Sequence, residues 1–298
     1  MCPFRPSKVL RMGLRKADWD DWLLIDKNLK ETLLDKKQAL ERFPNKLVRA
    51  SPVVTEALHE CYNTAVEFLA KRYPSCYRIN SNSVSNLVLG TKLPYPAELS
   101  GLPNEELLHI MATNIEEDFL LLDFDEELGE YVLRGGNFVY PAGFDPYELL
   151  NCKLSDIHGP VPLYEDNLQS PMNKFFKSVK AGQLVERRNW SCQEGTVLCK
   201  PIRSETFKSQ ENYVKKPPKD INDVYIRSER QTLSRLPRSG FLVFTVRTYL
   251  YPINSITGKD AELLADSIQA LHYEIGTYKG VPVWGETVVE HLRSVTGT

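Results

Sequence analysis

The segment 240–251 constrains the fold more than any other part of the chain. Its alternation places Phe241, Val243, Thr245, Arg247 and Tyr249 on one face and Leu242, Phe244, Val246 and Thr248 on the other. A strand that is largely apolar on both faces needs cover on both, so it belongs in the middle of a sheet. Segments 184–192 and 223–233 have the same β texture, and 118–124 is the first clear strand. Residues 131–134 and 137–140 flank Gly135-Gly136, which reads as a hairpin or a bulge.

Helical patterns surround these strands. Residues 17–42 read as a helix capped by Asp18, with Trp19, Trp22, Leu23 and Ile25 on its apolar face. A second opens at Ser51-Pro52 and carries Val54, Leu58, Cys61, Tyr62, Ala65, Phe68 and Leu69 until Pro74 stops it. Residues 76–103 read as loop, and 104–112 as a short helix. Asp145 caps another over 146–150, a further one spans about 171–180, and two close the chain at about 259–275 and 286–294. The polar stretch 204–222, with Lys215-Lys216-Pro217-Pro218-Lys219, reads as an exposed loop. The expectation is an α+β protein of one domain over 1–298. It has an N-terminal helical segment (about 8–75), a sheet core (about 104–251) and C-terminal helices (about 259–298) around an antiparallel sheet.

Several function classes drop out. With 37 Lys+Arg against 39 Asp+Glu the formal charge is -2, which gives no reason to expect a nucleic-acid partner. No run approaches the roughly 20 apolar residues of a membrane span, and the start carries no apolar signal core. A cytoplasmic setting follows as the expectation, with six scattered cysteines, none in a CxxC, as reduced thiols. The sequon Asn189-Trp190-Ser191 would then go unused. GxGxxG after a strand, GxxxxGK[ST], HExxH and GxSxG are all missing, so nucleotide, zinc-protease and α/β-hydrolase chemistry have no foothold.

Three places could carry chemistry. His158 stands before Gly159-Pro160-Val161-Pro162, and two prolines stiffen the chain enough to fix an imidazole for metal or heme ligation. The plain alternative is a structural histidine in a tight turn; His59, His109, His272 and His291, on or beside helices, read as surface or partly packed. Arg187-Arg188-Asn189-Trp190 and 227–233 lie in β texture. There Arg227, Glu229 and Gln231 share one face, and Ser228 and Arg230 the other. An inward arginine needs an anion, either a structural one such as Glu229 or Glu186 or a bound carboxylate. Glu116-Glu117-Asp118, at the head of the first strand, is a solvated strand entrance or a group for a cationic amine.

Taken together these segments resemble the heme-dependent oxidative N-demethylase-like family of PAS-fold heme proteins. The resemblance runs from Arg11-Met12-Gly13-Leu14 through Glu117-Asp118, 154–162 and Arg188-Asn189-Trp190. It continues through 227–237 and 244–249 to Tyr278-Lys279-Gly280, with 157–162 and 229–237 its most specific parts. It implies a PAS-like antiparallel sheet holding heme b with His158 as the iron ligand. Arg188, Arg227, Arg230 and Gln231 become candidate cofactor-binding residues for propionates or the distal pocket. It further implies an oxygenase whose partners are a small methylated amine, O2 and an external NAD(P)H-dependent reductase. The N-methyl carbon would be hydroxylated, and the carbinolamine would part into amine and formaldehyde. Glu117 and Asp118 are the candidate catalytic acids by the same match, with Glu117 favoured for its longer reach. Two rivals stand beside this reading: a heme-PAS sensor or ligand-binding protein without turnover, and a PAS-like interaction module that has lost its heme.

Overall fold

The computed structural model describes residues 4, 6–7, 10–201 and 217–296. A short strand β1 (Arg15–Lys16) leads through a single 3-10 turn (Trp19–Asp21) to helix α1 (Leu29–Arg42). Strand β2 (Val48–Ala50) and helix α2 (Thr55–Arg72) precede a small sheet of β3 (Tyr77–Asn80), β4 (Ser83–Asn86) and β5 (Thr91–Leu93). Helix α3 (Asn104–Asn114) then feeds the hairpin of β6 (Asp118–Asp125) and β7 (Glu130–Asn137). Helices α4 (Leu154–His158) and α5 (Ser170–Ser178) follow. Three long strands come next, β8 (Leu184–Glu194), β9 (Val224–Arg235) and β10 (Leu242–Pro252), before α6 (Gly258–Gln269), α7 (Tyr273–Tyr278) and α8 (Val281–Ser294).

Seven strands pair antiparallel in the order β1-β8-β9-β10-β6-β7-β2. The doubly apolar strand β10 is the central one, and it is covered on both sides. Val243, Phe119 and Leu121 pack under α2 and α3 with Leu58 and Leu107. Leu242, Leu122, Leu233 and Val185 pack under α4 and α5 with Leu154 and Phe176. A third cluster seats α6 and α8 on Trp190, Val224 and Ile226. The architecture is α+β with a large antiparallel sheet, and among the described residues no helix is long and apolar enough to cross a membrane.

Four local expectations change. The helix expected from residue 17 begins at Leu29, and Asp18 caps only the 3-10 turn. Residues 22–26 do not join a helix because sheet side chains take backbone groups here: Arg230 donates to the carbonyls of Asp21 and Trp22, and Glu117 accepts from Leu24 N–H. The loop expected over 76–103 contains the β3-β4-β5 sheet, whose short, mostly polar strands hide its alternation. Gly135-Gly136 lies inside β7 rather than at a hairpin, while the pairing jumps from Leu121–Gly135 to Leu122–Leu133, a bulge at Arg134. Three helices close the chain in place of two. The loop expected over 204–222 lies outside the described residues as far as residue 216.

Gly136 has a steric reason. A Cβ there would stand 2.5 Å from the Phe119 carbonyl oxygen and 2.6 Å from Leu120 Cδ2. Gly136→Ala is therefore expected to destabilise the protein by about 1–3 kcal/mol, as overpacking does. The readout is a lower urea midpoint at unchanged slope.

Candidate functional site

Helix α4 is pinned to the sheet through polar contacts at its start. Glu130, buried at the head of β7, accepts from Ser155 N–H at 3.0 Å and from its hydroxyl at 2.8 Å. Backbone bonds Leu133 N–H to Cys152 O and Asn151 N–H to Leu133 O fix the approach of the chain. His158 is the last residue of this short helix. Its Nδ1–H donates to the Leu154 carbonyl at 2.9 Å, which leaves Nε2 as the basic nitrogen without a partner among the described residues. A backbone carbonyl holding one imidazole N–H is the usual way a ring is oriented for metal ligation through the other nitrogen. Burial holds the His158 pKa below the usual histidine range, with the Arg187 charge adding to the fall, so the ring stays neutral.

The chain then turns sharply over Gly159-Pro160-Val161-Pro162. Leu163 takes a left-handed backbone (φ 61), which a bulky side chain adopts only where its surroundings enforce it. The effect is to return Tyr164 onto His158, the rings stacked at 4.9 Å and 11°. A π-helical turn (Glu165–Gln169) follows and merges into α5. Such turns recur beside functional sites.

Opposite α4 lies the middle of the sheet. Phe244 on β10 and its cross-strand neighbour Leu120 on β6 are only partly buried, although both stand on interior strands. They make an apolar floor. Along the same face the register brings Gln231 beside Arg187 and Glu229 beside Asn189. Glu229 accepts from Gln231 Nε2 at 3.0 Å, Asn189 Nδ2 at 3.3 Å and Arg227 Nε at 3.2 Å. Gln231 Oε1, Arg187 Nε and the Tyr164 hydroxyl are buried without a hydrogen-bond partner among the described residues. Buried polar atoms left without partners call for an explanation, and a ligand is a natural one.

The structure divides the sequence-derived candidates. His158 and Gln231 come to the same side of the sheet. Arg227 shares that side, but its guanidinium donates to Glu229, Leu198 O and Tyr140 O. Arg188 and Arg230 are cross-strand neighbours on the opposite face. Arg230 there donates to Glu186 and to the carbonyls of Asp21 and Trp22, and it is 2% exposed. Glu117 (1% exposed) accepts from Leu24 N–H. Asp118 (2% exposed) accepts from Val139 and Tyr140 N–H and pairs with the buried Lys36 at 2.9 Å. None of these partners belongs to α4, so the two acids are not brought to His158. Two residues here are missing from the candidate set: Arg187, which the sequence names only within the basic run 187–190, and Tyr164, which it does not single out. The strand register would have shown the first, which sits directly across from Gln231.

A histidine-held heme needs a free imidazole nitrogen, apolar surroundings and partners for its carboxylates. His158 Nε2, the Phe244–Leu120 floor with its flanking Ile157 and Met172, and the unpaired Arg187 meet those needs, so the residues fit the group. A non-heme iron triad, by contrast, has no basis among the described residues, which hold no group of three His, Cys, Asp or Glu side chains suited to a metal ion. Fold and site together give an α+β protein with a large antiparallel sheet and an oriented imidazole beside a partly covered sheet face. Residues 13–289 match the family described as Haem-dependent oxidative N-demethylase, alpha subunit-like, and the chain belongs to that family.

Proposed function

We propose that the chain holds heme b through His158 Nε2 and catalyses oxidative N-demethylation of a small methylated amine, yielding the demethylated amine and formaldehyde. Electrons would come from an external NAD(P)H-dependent reductase. The observation that carries the reading is the imidazole itself: neutral, oriented by Leu154 O and aimed from a helix end beside an incompletely covered sheet face, in a chain of this family. On this reading the sheet with α4 laid across it is a PAS-like cradle. When bound, the heme would supply activation of O2 and oxidation of the N-methyl carbon. The protein's own residues divide the remaining work. Leu154 O fixes the tautomer of His158, Tyr164 braces its ring, and Phe244 and Leu120 exclude water from the floor. Gln231, held by Glu229, presents its amide oxygen to whatever lies above the sheet. We assign Glu117, Asp118, Arg227 and Arg230 to holding the fold around this face, because their polar atoms are already engaged by protein groups.

The test is turnover. Heme-loaded protein with NADPH, a suitable reductase and O2 is expected to release formaldehyde from a panel of N-methyl amines, and His158→Ala to release none. Protein that binds heme on His158 yet yields no formaldehyde from the panel would favour a sensor instead.

A further inference from the structure

Arg187 differs from Arg227, Arg230 and Arg247, the buried arginines of β9 and β10, and shares with its neighbour Arg188, on the opposite face of β8, an Nε that has no hydrogen-bond partner among the described residues. Arg227, Arg230 and Arg247 each donate to carboxylates and carbonyls of the protein. Arg187 makes no hydrogen bond among the described residues, and its Nε is fully buried. A second cation stands near it. Lys279, on the link between α7 and α8, reaches β8 and donates to Trp190 O at 2.5 Å. Burial pushes its amine down to about 8, with Glu229 opposing and Arg187 adding to the fall. The acid near both is Glu229, and Arg227 already pairs with it at 3.2 Å. Two cations against one shared carboxylate make a poor seat for a bare dialkylammonium ion. They suit an anion, and a guanidinium's planar fork suits a carboxylate best.

We propose that Arg187, with Lys279 beside it, forms a carboxylate-binding subsite on the His158 side of the sheet. The proposal rests on the heme reading of that site. The carboxylate has two possible sources there: a propionate of the heme, or the acid group of an N-methylated amino acid as substrate. Either would give Arg187 Nε its missing acceptor.

Two titrations on the full chain separate the sources. In the first, hemin and hemin dimethyl ester are titrated into the wild type, Arg187→Gln and Arg187→Lys. If the heme carboxylate is the ligand, the wild type prefers hemin by roughly 10- to 100-fold, as expected for a charge-assisted hydrogen bond. Arg187→Gln then loses the preference and Arg187→Lys keeps part of it. In the second, N-methylglycine and dimethylamine are compared by the Soret shift each induces in heme-loaded protein. If the substrate carboxylate is the ligand, the wild type prefers N-methylglycine by a similar factor and Arg187→Gln does not. The melting temperature of heme-free Arg187→Gln is expected to stay level or rise, because the change removes a desolvated cation that has no hydrogen-bond partner among the described residues. The subsite is overturned if the wild type shows neither preference, or if Arg187→Gln retains it. A hemin spectrum identical in wild type and His158→Ala instead sinks the heme reading, and the subsite with it, whatever Arg187 does.

Discussion

His158→Ala is expected to lose the Soret band of the hemin-loaded protein, or to shift it grossly in both ferric and ferrous states, while the heme-free chain still folds. The loss follows from geometry, since the partnerless ring nitrogen described here on α4 is His158 Nε2. Folding should survive because the ring's contacts described here are local, a stack on Tyr164 and one hydrogen bond. Its hydrogen bond goes to Leu154 O, a carbonyl in the same short helix, and α4 is anchored separately by Ser155 on Glu130. Imidazole added to His158→Gly should restore a ligated spectrum, which a variant damaged in its packing would not do. The pH dependence has a definite sign. A free histidine protonates near pH 6.5, but burial depresses the folded value, so ligation should persist as pH falls through 6.5 and fail only below it. Over that same window the unfolded chain takes up a proton that the folded chain refuses, so His158 makes the heme-free fold less stable as pH falls. An unaltered ferric and ferrous spectrum in His158→Ala would remove the ligand assignment.

What the sequence disclosed, and what it hid, follows from which interactions are local. The place of β10 at the centre could be read because burial on both faces writes itself into consecutive residues. The end of α2 before Pro74 and the cap of Asp145 on Tyr147 N–H are equally local. His158 stood out because two prolines brace the chain after it. The start of α1 could not be read. Trp19, Trp22, Leu23 and Ile25 do have helical spacing, but the backbone groups of 21–26 are claimed by Arg230, Arg247 and Glu117, residues remote in sequence. The acids 116–118 were misleading for the same reason. Three acidic residues in a row suggest a charged, open surface, whereas Lys36, reaching in from α1, satisfies Asp118 and the carbonyls around it and lets the run be buried. Arg187 and Arg188 cannot be ranked from a dipeptide. Only the pairing of Arg187 with Gln231 and Arg188 with Arg230 assigns them to opposite faces.

Arg230→Ala is expected to lower stability by about 3–5 kcal/mol, the usual result of removing one member of a buried, hydrogen-bonded ion pair. Its guanidinium meets Glu186 at 2.7 Å and the carbonyls of Asp21 and Trp22, so it ties β8, β9 and the N-terminal segment together. Without it Glu186 keeps, among the described residues, only the partly exposed Arg15 as a cation, and two carbonyls lose this donor. In a chain of this size the melting temperature should fall by on the order of 10 °C. Adding Glu186→Ala to Arg230→Ala should recover part of the loss, because the stranded carboxylate goes with its partner. Burial works against the charge of Glu186, but Arg230 and Arg15 beside it hold its pKa below the usual carboxylate value. This clasp should therefore contribute fully at neutral pH and weaken as pH falls through the carboxylate range. The same variant separates a fold role from a cofactor role. A clasp predicts a lower melting temperature in the heme-free chain and an unchanged hemin affinity for whatever remains folded. A melting temperature that holds while hemin affinity falls would place Arg230 on the cofactor instead, and would require the N-terminal segment to lift from the sheet before heme could reach it.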